Sequence, residues 1–209
     1  MDYEQRLTHA WDRIDDWLRS HAPASYASLK GPASDADLEA LEEAVGVPLS
    51  AELILLLRRH NGSTAPHEQP ALANAGFFLP RADRLLSAQE ISKQHGMRNR
   101  LLDEDESGHL SRTWWHRDWI PFTVSNAADA LFVDHRRTEG RPEPTFGRVG
   151  KFSHDGDAKI QSFSFTEFFE EVAQALSDDS PVLGCTPILR ADSGKLGWQL
   201  NRGHRSARS

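Results

Sequence analysis

The stretch that most constrains this chain runs from Trp114 to Asp134 and reads WWHRDWIPFTVSNAADALFVD. Three of the six tryptophans stand within its first six residues. The apolar run Trp119-Ile120-Pro121-Phe122-Thr123-Val124 follows, then the small-residue turn Ser125-Asn126-Ala127. A second run, Leu131-Phe132-Val133, sits between Asp129 and Asp134. β-Branched and aromatic residues on either side of a turn predict a hairpin. A segment this apolar and central is expected to form the heart of an antiparallel sheet, with Trp114 to Asp118 as its approach loop.

Helical periodicity surrounds that segment. Leu7, Trp11, Ile14 and Leu18 mark the buried stripe of a first helix, with Asp12, Arg13, Asp15 and Asp16 facing elsewhere. Pro23 ends it, because the residue before a proline avoids the helical region. Ser34 caps a second helix with Leu38, Leu41 and Val45 inward and Gly46 at its left-handed end. Ser50 opens a third, stapled by Leu49 and Ile54, with Leu53, Leu56, Leu57 and His60 on one face and Gly62 as its stop. Residues 63–75 read as a loop and Phe77-Phe78-Leu79 as a short strand. Ser87 and Glu90 form a capping box for a fourth helix carrying Ile91, His95 and Leu102, which frays into the acidic run Asp103-Glu104-Asp105-Glu106. Ser164 and Glu167 form another capping box, followed by Phe165, Phe168, Phe169, Val172 and Leu176 at helical spacing, a helix expected to cross the sheet. Between these helices, residues 147–152 and 159–163 are predicted strands, and 135–146 reads as an exposed, charged insertion.

Bulk properties narrow the class. With 209 residues, 38% of them hydrophobic, the chain can build one real core. Residues 1–180 are read as one domain, and 181–209 as a C-terminal extension that could add a strand or two before a partly disordered, basic tail. No run approaches a membrane span, the acidic N-terminus lacks the features of a secretory signal, and the lone Cys185 excludes an internal disulfide, which together point to the cytoplasm. A formal charge of −7 argues against general nucleic-acid binding through phosphates. It suits a partner with a basic surface, although mild acidity also serves solubility alone.

No phosphate loop, dinucleotide fingerprint or nucleophile elbow is present. Cys185 follows a glycine without a nearby histidine, so a nucleophilic role is not expected. His109, His116 and Asp118 are the most metal-like set, but their spacing matches no ligand motif and Trp114 and Trp115 intervene. His154, Asp155 and Asp157 read as a turn rather than a calcium loop. Asp129 and Asp134, five residues apart, fall on opposite faces of one strand and therefore do not make a catalytic pair. They read as structural carboxylates. No cofactor and no metal are expected.

The order of motifs resembles the SUKH superfamily, in the group related to the yeast cell-wall assembly regulator. The matching pieces are Pro32-Ala33-Ser34 with Leu38 and Leu41-Glu42, Gly46-Val47-Pro48-Leu49, His60-Asn61-Gly62 and Phe77-Phe78-Leu79-Pro80. Leu85-Leu86-Ser87, Glu90-Ile91, Trp114-Trp115-His116, Trp119-Ile120-Pro121-Phe122 and Asp129-x-Leu131-Phe132-Val133-Asp134 continue the series. Gly147-Arg148-Val149 and Phe165-x-x-Phe168-Phe169 complete it. The resemblance covers about residues 1–177. Ala128 departs from it, because the family often has Gly there, as does the insertion around 136–145; the segment after Pro181 lies outside it.

The resemblance implies an α+β fold, an antiparallel or mixed sheet with helices packed around it, and no shared catalytic residues. It implies a protein-binding module. Bacterial members are regarded as immunity proteins of polymorphic toxin systems, binding a cognate toxin, often a nuclease, whereas fungal members act in regulatory assemblies. Candidate partner contacts are Asp103, Glu104, Asp105 and Glu106, and the approach residues Trp114, Trp115 and Asp118, since exposed Trp is enriched at binding hot spots. Two further readings stay open: a regulatory scaffold, and a small hydrolase or metal enzyme using His109, His116, Asp118 or Asp129.

Overall fold

The computed structural model describes residues 2–106, 113–190 and 192–201. Helix α1 (Tyr3–His21) buries Leu7, Trp11, Ile14 and Leu18, as its stripe predicts. A short α2 (Pro23–Ala27) follows, begun by Pro23 at its first position, where a missing N–H is harmless. Helix α3 (Asp35–Val45) carries a Ser34–Asp37 capping box and ends on left-handed Gly46. Helix α4 (Ala51–Arg59) is capped by Ser50 and stops before His60, which is extended; Gly62 comes after that stop. Gly62 has its own role: with φ +87°, a Cβ there would stand 2.5 Å from the Ser87 amide nitrogen.

Phe77-Phe78-Leu79 is not a strand. Leu79 makes one bridge to Asp83, and the strand β1 (Asp83–Leu85) lies beyond it. The cause is local: Pro80 cannot donate to a ladder, and Arg81 and Ala82 both adopt left-handed backbone, reversing the chain. Helix α5 (Ala88–Glu104) starts on the Ser87–Glu90 capping box. It stays helical through Asp103 and Glu104, a longer course than the frayed end expected of it.

The predicted hairpin forms. Strand β2 (Trp119–Pro121) pairs antiparallel with β4 (Ala130–Asp134), Pro121 opposite Phe132. The first arm breaks at Phe122 and continues as β3 (Thr123–Ser125), which pairs with β1. Ala128 closes the turn in left-handed geometry, φ +62°. Strands β7 (Arg148–Phe152) and β8 (Lys159–Ser164) complete a sheet of order β2-β4-β7-β8. The charged insertion is a small exposed ribbon, β5 (Arg137–Thr138) with β6 (Arg141–Pro142), but its stem is not exposed, since Asp134 and His135 are buried.

Helix α6 (Phe165–Asp178) uses the Ser164–Glu167 capping box and buries its aromatic stripe. Phe165 meets Phe122 edge-on at 4.9 Å, and Phe169 meets Trp11 of α1 at 4.9 Å. Side chains of β4 alternate between two apolar layers, as strand geometry requires. Leu131 and Val133 join the large layer with α1, α3, α4 and α6, whereas Ala130 and Phe132 join a smaller one with Trp115, Trp119 and Phe152. After α6 comes a hairpin of β9 (Cys185–Arg190) and β10 (Lys195–Leu200), docked on the body through Leu196, with Val182 just before it also in the core. Among the described residues every strand pairing is antiparallel, so the fold is α+β with helices around antiparallel sheets. Residues 202–209, expected to form the basic tail, lie outside the described residues.

Candidate functional site

The candidate contact residues fall at one end of the molecule, where the last turns of α5 meet the 113–118 segment. That segment is held by backbone and ring nitrogens. His95 on α5 places Nε2 2.6 Å from the Arg117 carbonyl, and Trp115 donates its indole N–H to Asn99 Oδ1 at 3.2 Å. Arg117 forms an ion pair with Asp103. Burial pushes His95 below the usual histidine range, so its ring serves as a neutral strut.

Trp115 is 1% exposed and cannot offer its ring to a partner in this conformation. It is the hub of the smaller apolar layer, edge-on to Trp119 at 5.7 Å, to Phe132 at 5.5 Å and to Phe152 at 5.5 Å. Hydrophobic burial outweighs exposure because three aromatic neighbours converge on it from β2, β4 and β7. Trp114 differs: it is half-buried, edge-on to Phe152, and donates its indole N–H to the His154 carbonyl at 3.3 Å. Asp118 is partly exposed; its carbonyl accepts the His135 amide, and its own amide donates to His116 Nδ1 at 3.1 Å. Asp103, Glu104 and Glu106 are exposed, and the Asp105 amide caps α5 through the Leu102 carbonyl. Met97 (45% exposed) and Leu101 (40%) lie on the same helix, spaced so that they share one face.

The acidic residues sit where the helix dipole disfavours them. The last turn of α5 holds no basic residue, yet Asp103 and Glu104 occupy it. A negative charge at a helix C-terminus is unfavourable by roughly 0.3–1 kcal/mol. Asp103 is compensated by Arg117, whereas Glu104 and Glu106 have no ion-pair partner among the described residues.

Other polar groups singled out from sequence are structural. Asp134 is fully buried and accepts from Arg136 and from Thr145 Oγ1 at 2.6 Å. Burial pushes its carboxyl up, but these bonds outweigh it and hold the group below the usual carboxylate range. Asp129 accepts from Ser153 Oγ and the His154 amide, both at 3.2 Å, tying the β3–β4 turn to the turn after β7. Cys185 is buried and free. His109 lies outside the described residues, and no group of three or more His, Cys, Asp or Glu among those described is placed to hold a metal ion.

Several buried polar groups carried no sequence signal. Asp15, expected to face solvent, is buried; it accepts Arg59 Nε at 2.8 Å and faces His60 Nε2 at 3.0 Å. Burial raises its carboxyl, but His60 and Arg59 pull it below the ordinary range. Arg98 is 2% exposed and lies between Trp115 and Phe152, with its guanidinium carbon 5.1 and 4.7 Å from their ring centroids. Burial pushes it down to about 10. Asp83 is also buried, one oxygen near Thr123 Oγ1 and the other without a hydrogen-bond partner, and burial pushes its carboxyl up to about 8.

No helix among the described residues is long and apolar enough to cross a membrane. A search of curated proteins finds no match to this chain. A family model does match, the SMI1 / KNR4 family (SUKH-1), over residues 32–171, from the approach to α3 through the middle of α6. Domains of this family are generally non-enzymatic and support roles of the toxin-immunity or SMI1/KNR4 kind. With two thirds of its length matched, and with the α+β architecture in place, the chain belongs to the SMI1 / KNR4 family (SUKH-1).

Proposed function

We propose that this chain is a non-enzymatic immunity protein of a polymorphic toxin system, acting in the cytoplasm by binding a cognate toxin and covering its active or substrate-binding surface. Family membership supports a protein partner. The observation that carries the choice of partner is the acidic end of α5, where Glu104 in the last turn faces the helix dipole and neither it nor Glu106, just beyond the helix, has an ion-pair partner among the described residues. Local rules broken in this way are expected at functional sites. A basic partner surface, such as that of a nuclease, would neutralise these charges and would associate faster for it.

The contact surface in this reading comprises Asp103, Glu104, Asp105 and Glu106 with Trp114 and Asp118 beside them. Exposed Met97 and Leu101 add apolar area on the same helix. Co-expression with the toxin encoded beside this chain tests the proposal. Protection and co-purification are expected, with Glu104→Lys/Glu106→Lys slowing association about tenfold at low salt while leaving the fold intact. Failure to bind, or to protect against, any toxin encoded beside it would overturn the reading. A deletion phenotype without any toxin, together with unrelated partners, would favour a regulatory scaffold instead.

A further inference from the structure

The β9–β10 hairpin lies beyond the family-matched region and leans on the corner before β1. Trp198 donates its indole N–H to the Phe78 carbonyl at 2.7 Å, and Lys195 Nζ donates to the Ala73 carbonyl at 2.9 Å. Between hairpin and corner is a cleft of about 330 Å³. Its lining includes three pairs of like residues: the aromatic Phe77 (buried) and Trp198 (half-buried), Asn74 and Asn126, and the cationic Arg190 and Lys195.

The charge of this lining is unlike that of the chain. The sequence holds 31 acidic against 24 basic residues, yet among the described residues no carboxylate lines the cleft. Among the described residues, neither Arg190 nor Lys195 forms an ion pair. Lys195 uses one bond on Ala73, which leaves two of its three donors. Arg190 lines the cleft and passes close to Gly197: a Cβ on Gly197 would stand 3.1 Å from Arg190 Nε. Gly197 does not have positive φ, so the backbone there does not require glycine. The space it leaves is shared by the Arg190 Nε and the Ile188 side chain.

We propose that this cleft binds a mononucleotide, with the phosphate on Arg190 and Lys195 and the base against Phe77 and Trp198. A guanidinium fork beside an ammonium suits a dianionic phosphate better than a single carboxylate. The two Asn amides offer both donors and acceptors to a base edge. The volume lies at the small end of ligand pockets and sets a nucleoside monophosphate as the largest occupant. The acidity of the rest of the chain excludes a polynucleotide track but not one phosphate held locally.

Calorimetric titration of the full chain with AMP, GMP, CMP and UMP at low salt tests this, with adenosine and inorganic phosphate as separate arms. At least one nucleotide is expected to bind in roughly the 10–500 μM range, with phosphate and nucleoside alone about tenfold weaker or more. Arg190→Glu should abolish binding, and Gly197→Ala should weaken it about tenfold by displacing the guanidinium, both with unchanged melting temperature. Silence of all four nucleotides up to about 5 mM overturns the proposal. So does phosphate binding as tightly as any nucleotide, or nucleotide binding that neither variant changes. None of these outcomes bears on toxin binding at the α5 end.

Discussion

Gly150→Ala would probe how tightly the aromatic layer beneath the candidate surface is packed. Gly150 on β7 faces Phe132 on β4, its register partner. A Cβ added at Gly150 would stand 2.1, 2.3 and 2.7 Å from three atoms of the Phe132 ring. Carbon atoms pack at about 3.5–4.0 Å, so the ring would have to retreat by more than about 1 Å. It has nowhere to go: its other face is stacked on Trp119 at 4.3 Å, and Trp115 stands against it at 5.5 Å. Overpacking of this kind costs about 1–3 kcal/mol, and a fully buried ring with a tryptophan behind it places this case near 3. With a urea slope of about 2 kcal/mol/M, the unfolding midpoint should fall by roughly 1.5 M. Phe132→Leu alone should cost about 1–2 kcal/mol through lost ring contacts. The double variant should be clearly less destabilised than the sum, with a coupling of at least about 1.5 kcal/mol, because removing the ring removes the collision. A Gly150→Ala shift under about 0.5 kcal/mol, or an additive double variant, would refute the packing argument.

Asp83→Asn should change how stability depends on pH. The folded carboxyl is pushed up to about 8 by burial, against about 3.9 in an unfolded chain. Between those values the folded state holds a proton that the unfolded state has lost, so stability present below about pH 4 is lost progressively up to about pH 8. The Asn variant lacks that loss and should be the more stable protein above pH 8, by on the order of a few kcal/mol, with little advantage near pH 4. Urea unfolding across that pH range checks it, and parallel curves for the two proteins would count against a buried, proton-bearing Asp83. Ala128→Gly should stabilise by roughly 0.5–1 kcal/mol, because Ala128 holds φ +62° where a side chain is strained. Thermal unfolding would show it as a higher midpoint, and a lower one would mean that the turn is not strained.

What could be read directly from the sequence was local. The N-cap at Ser34, the capping boxes at Ser87 and Ser164, the stripes of α1 and α6 and the central hairpin all depend on residues a few positions apart. Their spacing alone specifies which face is apolar and where a helix begins. The acidic end of α5 and Trp114 were likewise legible as candidates, because charge and aromatic content show in any short window. Tertiary structure decided the rest. It turned Asp15 inward toward Arg59 and His60, more than forty residues away, and slid Arg98 between Trp115 and Phe152. It withdrew Trp115 from the surface and docked the terminal hairpin on Phe78 and Ala73. Each of these rests on partners distant in the chain, and a polar side chain carries no mark of its burial until the partners that compensate it are brought alongside.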